Sequence, residues 1–146
     1  MKYLPMNKLG ALEISSKVIQ FGIFLPGVDP GKGYAVSVKI IHETDQYLQA
    51  AQPAVAAQTH SVDAMYGDYW SGTIDLNTAA TPPGSTAFGQ AGRYVYRYVI
   101  RSPVRGDIDF IIDPFSREVG VGRLSAITVG STPYAFSASE TRWKTP

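Results

Sequence analysis

Residues 93–101, RYVYRYVIR, decide how this chain is read. Alternation places Tyr94, Tyr96, Tyr98 and Ile100 on one face, and Arg93, Arg97 and Arg101 with Val95 and Val99 on the other. A period of two carried by aromatic and β-branched side chains is the mark of a strand; a helix would scatter the same residues around its axis.

The neighbouring segments repeat the pattern. Residues 33–41 set Tyr34, Val36, Val38 and Ile40 against Ala35, Ser37 and Lys39. Residues 17–25, KVIQFGIFL, run between Ser15-Ser16 and Pro26-Gly27 as a first strand, followed by a turn over 26–33, PGVDPGKG. Downstream, 107–112 (DIDFII) follows a hairpin-sized gap after Ser102-Pro103, and 124–129 (LSAITV) lies between Gly122 and Gly130. Residues 69–76 and 55–59 supply middle strands. Residues 45–57 read as loop plus a short strand, because Pro53 would interrupt a helix, and 77–92 (NTAATPPGSTAFGQAG) as an exposed, mobile loop.

Seven or eight short strands without intervening helices predict an all-β fold, an immunoglobulin-like β-sandwich of the E-set type with antiparallel strands. The expected organisation is a lead segment over 1–16, the sandwich over 17–130 and a linker over 131–146. Ser137 to Glu140, SASE, has the form of a capping box, and a helix entry so near Pro146 suggests a piece of something longer.

Composition narrows the function. The chain has 146 residues, one domain's worth, and its 13 Lys and Arg against 12 Asp and Glu leave a net charge of +1, so no global field draws it to nucleic acid or an anionic membrane. The absence of cysteine removes disulfides, thiolate nucleophiles and cysteine-ligated metal together. Pro5 and Lys8 break the N-terminus before a signal-peptide core develops, which favours the cytoplasm while leaving the compartment open.

Catalytic groups are sparse. His60 with Asp63 nearby could serve as a general base, but three-apart pairs of this kind usually make local hydrogen bonds. Asp107 and Asp109 share an exposed strand face that discourages edge aggregation, and Asp113 before Pro114 suits a turn-fixing carboxylate. No phosphate-binding loop or calcium loop is present. No catalytic residue, metal site or cofactor is therefore expected. The remaining binding candidate is the aromatic cluster Tyr66, Tyr69 and Trp70, whose rings could stack on a sugar, although a sandwich also demands a core Trp.

Two segments carry a family resemblance: Gly92-Arg93-Tyr94-Val95-Tyr96-Arg97-Tyr98 and Ile111-Ile112-Asp113-Pro114-Phe115-Ser116-Arg117-Glu118. With Phe21 to Gly27 before them and Gly122 to Ala126 after, they resemble, in order, the non-catalytic N-terminal domain of α-amylase-type enzymes, glycoside hydrolase family 13. That domain is an immunoglobulin-like sandwich similar to carbohydrate-binding module family 48. The resemblance implies an accessory role, because the catalytic carboxylates of such enzymes lie on a barrel of about 250 residues. It implies Asp113, Pro114 and Phe115 as interdomain packing residues, the catalytic barrel of the same polypeptide as partner, and α-glucan (starch or glycogen) as a ligand. The alternative is an immunoglobulin-like protein–protein interaction module, anchored by Tyr66, Tyr69, Trp70 and the arginine face, with no carbohydrate binding.

Overall fold

The computed structural model describes residues 9–49, 57–65, 69–120 and 124–130. Among them nine strands alternate with turns: β1 (Gly10–Ser15), β2 (Val18–Phe24), β3 (Ala35–His42), β4 (Gln58–Met65), β5 (Tyr69–Asp75), β6 (Gly92–Ser102), β7 (Gly106–Ile111), β8 (Glu118–Val119) and β9 (Ser125–Val129). Every pairing is antiparallel, in the order β1-β2-β5-β4-β3-β6-β9-β8, with β7 also beside β6. Strand β4 pairs with β3 over its first residues and with β5 over its last, so it crosses from one layer to the other. The fold is the expected all-β sandwich.

Alternation along β6 builds the core. Tyr94, Tyr96 and Tyr98 are fully buried and pack with Phe21, Ile23, Val38, Ile40, Trp70 and Val129. Phe21 of one layer meets Tyr96 of the other edge to face at 5.3 Å. On the opposite face of β6, Val95 packs with Ile41 and Ala126, and Val99 is buried further along.

Three expectations are corrected. The sheet begins before residue 17: β1 pairs with β2, and the guanidinium of Arg117 donates to the carbonyls of Leu9 and Ala11 at 3.3 and 3.1 Å. A helix, α1 (Glu43–Gln49), occupies the start of the segment read as loop plus strand, ending ahead of Pro53. Finally, the 77–92 loop is pinned. Asp45, fully buried on α1, accepts hydrogen bonds from the Ser85 hydroxyl, the Thr86 N–H (2.9 Å) and hydroxyl (2.8 Å) and the Ala87 N–H (3.2 Å). Burial pushes the Asp45 carboxyl up, but these bonds together outweigh it and hold the group below the ordinary 3.8. Phe88 then inserts against Tyr94, whose hydroxyl donates to Gln90 O and accepts from Gly89 N–H. Burial drives that phenol up to about 12.

Residues 1–8 of the expected lead segment, Tyr66, the 131–146 linker and the 137–140 capping box lie outside the described residues.

Candidate functional site

Tyr69 and Trp70 of the aromatic cluster proposed from sequence are spent on the core. Trp70 is 3% exposed and its indole N–H donates to Val28 O at 3.1 Å. Tyr69 is 2% exposed and meets Phe24 edge to face at 6.2 Å. Neither ring offers a face to a ligand. The physical reason is the one the sequence already contained: a sandwich of this size needs large apolar side chains between its layers.

The Asp113-Pro114-Phe115 turn divides its labour. Asp113 is 2% exposed; it accepts from the Tyr96 hydroxyl at 2.6 Å and from Phe115 N–H at 2.9 Å, while its own N–H donates to Ser125 Oγ at 2.8 Å. Burial pushes its carboxyl up, opposed by the Tyr96 and Phe115 bonds and by the charge of Arg117. Tyr96 is pushed up as well, by burial and then by the Asp113 charge. The carboxylate thus fixes the turn from inside its own domain, and does not itself pack outward as the resemblance implied. What the turn presents to solvent is apolar: Ile112, Pro114 and Phe115, with Val119 of β8 beyond them.

The histidines are accounted for by structure. His42 Nδ1 accepts from Thr44 N–H and its Nε2–H donates to Ala91 O, each at 3.1 Å, which fixes the orientation of the ring. His60 stands in β4 opposite Val38, on the core side of the sheet. Among the described residues no group of three His, Asp or Glu is placed to hold a metal ion.

The outer face of the β4-β3-β6-β7 layer carries a feature that the sequence reading missed. The registers stack side chains in three rungs across the strands: Arg97, Lys39 and Thr59; then Val99, Ser37 and Ser61; then Asp107, Arg101 and Ala35. Small side chains in the middle rung, between long ones on either side, leave a half-open groove of about 470 Å³. Arg101 forms one rim with Asp107, their Nε and Oδ1 3.0 Å apart. The signal was present as S-V-K in β3 and T-H-S in β4, but only the register brings those residues side by side.

Fold and surface together define a domain-sized antiparallel sandwich that carries, among the described residues, an apolar turn and a polar groove. Solved structures share that fold. A pullulanase from Anoxybacillus sp. LM18-11 matches with TM-score 0.52 and 17% identity, over 88% of this chain and 14% of the enzyme. The same enzyme complexed with maltotetraose matches with TM-score 0.53 and 16% identity, over 91% and 15%. A product complex of the multi-modular glycogen-degrading pneumococcal virulence factor SpuA matches with TM-score 0.51 and 20% identity, over 77% and 10%. The chain therefore spans 10% to 15% of the length of these proteins, and at such identities the likeness is one of fold. No family profile matches the chain, and no curated protein matches it.

Proposed function

We propose that this chain is a non-catalytic accessory domain of an α-glucan-active glycoside hydrolase, that it packs on the catalytic barrel through the turn bearing Ile112, Pro114 and Phe115, and that it engages the sugar chain on its outer sheet. The observation that carries the reading is the sharing of this fold with a small segment of pullulanases, a glycogen-degrading enzyme among the similar structures. The exposed apolar turn supports the packing role, since a domain surface of this kind is covered when its neighbour is present. The groove supports sugar engagement because Ser37, Thr59 and Ser61 both donate and accept, as hydroxyl recognition requires.

Three measurements test this. Extending the reading frame and its neighbouring genes should reveal a barrel of about 250 residues. The isolated barrel should bind this chain, and Phe115→Ser together with Ile112→Ser should abolish that binding while leaving the chain's melting temperature within about 2 °C, as expected for exposed positions. A barrel that ignores the chain refutes the packing role. Maltoheptaose that produces no response at millimolar concentration, where about 4 kcal/mol becomes visible, refutes the glucan role and leaves the interaction module as the better reading.

A further inference from the structure

Strand β1 turns apolar side chains to solvent. Ala11 packs inward, whereas Leu12 and Ile14 are 37% and 50% exposed, with the half-buried Glu13 between them. The register sets Leu12 beside Gln20 and, one strand further, Thr73, so the apolar line is a single strand wide. The strand stands at one end of the sheet order, yet its backbone is not open to pairing there, because the Arg117 guanidinium donates to Leu9 O and Ala11 O. An incoming strand meets a charged side chain, and what β1 has to offer a neighbour is its exposed side chains.

This line adjoins the Ile112-Pro114-Phe115 turn. A Cβ built on Gly10 would stand 2.6 Å from Phe115 O, so the turn rests on the first residue of β1. Leu12 follows two residues later, about 7 Å along the strand. At its other end β1 meets the backbone that leaves the sandwich. One oxygen of Glu13, Oε2, accepts from Lys17 N–H at 2.7 Å and from Gly130 N–H at 2.9 Å, which fastens residue 130 to the residue before Ile14. The exposed apolar residues thus run from the turn to the point from which the polypeptide continues past the last strand.

The size of this surface decides what covers it. Leu12, Ile14, Ile112, Pro114 and Phe115 are five side chains, whereas two separate molecules need about 20–30 residues a side for a stable interface, which argues against a second copy. A domain on the same polypeptide needs less, because the connection holds it at a high local concentration. That connection begins at Gly130, at the end of the apolar line.

We infer that Leu12 and Ile14 form the second half of the surface that receives the domain following residue 130. This extends the packing role proposed above and rests on it.

The test is hydroxyl-radical footprinting of side chains, on this chain alone and on the parent polypeptide obtained by extending the reading frame. Rates are read against Val104, which is 89% exposed in the turn between β6 and β7. Oxidation at Leu12, Ile14 and Phe115 should fall about fivefold in the parent, since packing at the centre of an interface matches that of a protein interior. In the parent, Leu12→Thr with Ile14→Thr, substitutions that suit exposed strand positions, should return part of the oxidation at Phe115 while the urea midpoint of this chain alone stays close to wild type. Protection of Phe115 without protection of Leu12 and Ile14 would overturn the inference and leave packing through the turn standing. Protection of none of the three, or a reading frame without a barrel, would refute the packing role and this extension with it. Protection of Leu12 and Ile14 in this chain alone as its concentration rises, with a dimer in sedimentation, would overturn the inference in favour of a second copy.

Discussion

Replacing Asp45 with alanine tests the account of how the long loop is held. In the native protein this carboxylate is fully buried and accepts four hydrogen bonds, two from hydroxyls and two from the backbone N–H groups of Thr86 and Ala87. The hydroxyls rotate to other partners when the acceptor is removed, but the two amides do not, and a buried unsatisfied N–H costs about 1–3 kcal/mol. Water entering the vacated space recovers part of this, which leaves a net loss of about 3 kcal/mol. In a chain of this length each kcal/mol moves the melting temperature by about 2–4 °C, so Asp45→Ala should melt about 6–12 °C lower. Asp45→Asn keeps the shape but turns an amide nitrogen toward two of the donors, and should lose roughly half as much.

The pH dependence supplies a second check. The folded carboxyl lies below its ordinary value of 3.8, so its contribution to stability is fully present above that pH and is lost as pH falls through the folded value. The gap between wild type and Asp45→Ala should hold steady near neutrality and narrow below 3.8. Thermal melts by circular dichroism across pH, with hydrogen exchange at Thr86 and Ala87, read both effects. A loss under about 1 kcal/mol at neutral pH, or a gap that widens on acidification, would refute the clamp.

Other substitutions probe the core and the turn. Trp70→Ala should destabilise by about 3–5 kcal/mol in urea, since it empties a core site, whereas Trp70→Phe should cost about 1–2 kcal/mol for the indole bond to Val28 and some lost packing. Gly92→Ala should be destabilising in the same assay, because the residue sits at φ +140° and an added Cβ would meet His42 Nε2 at 2.5 Å; a neutral effect would contradict the packing of His42 on that backbone. Asp113 has a raised carboxyl, so its ionisation opposes folding as pH climbs above 3.8 through the folded value. Urea unfolding across pH should therefore show wild type losing stability relative to Asp113→Asn over that window, and a relative gain would reverse the assignment.

The sequence made some elements legible for a definite reason. Strand β6 was readable because its inward positions from Tyr94 to Ile100 are all large and its outward positions include three arginines, so one strand carries the whole contrast. Strand β1 was hidden because its contrast is inverted: Ala11 is buried, while Leu12 and Ile14 are 37% and 50% exposed. Strand β4 was read as 55–59 rather than Gln58–Met65, since Thr59, His60 and Ser61 show little apolar period, and a strand that changes layers has no single buried face to advertise. Helix α1 fell to an argument from Pro53 that was sound about where a helix must stop and wrong about whether one could fit before it. The Asp113 turn was readable because an acid before proline fixes its turn with local bonds. Asp45 was not, since its partners lie 40 or more residues away and only the folded chain brings them together.

The same logic explains where binding can occur on this molecule. Tyr94, Tyr96, Tyr98, Trp70 and Phe21 are all committed to the space between the layers, where their rings are worth more as buried area than as solvent-facing platforms. The outer face of β6 is one described surface that carries both polar shape and charge, and it is divided along its length. Near its start Val95 is sealed by Ile41 and Ala126; toward its end Val99, itself buried, stands beside Ser37 and, one strand further, the exposed Ser61. A ligand on this face meets hydroxyls and cations before it meets hydrocarbon. Its affinity must therefore come from hydrogen bonds and charge, which are screened by salt, and should not depend on stacking against Trp70, which stands inside the core.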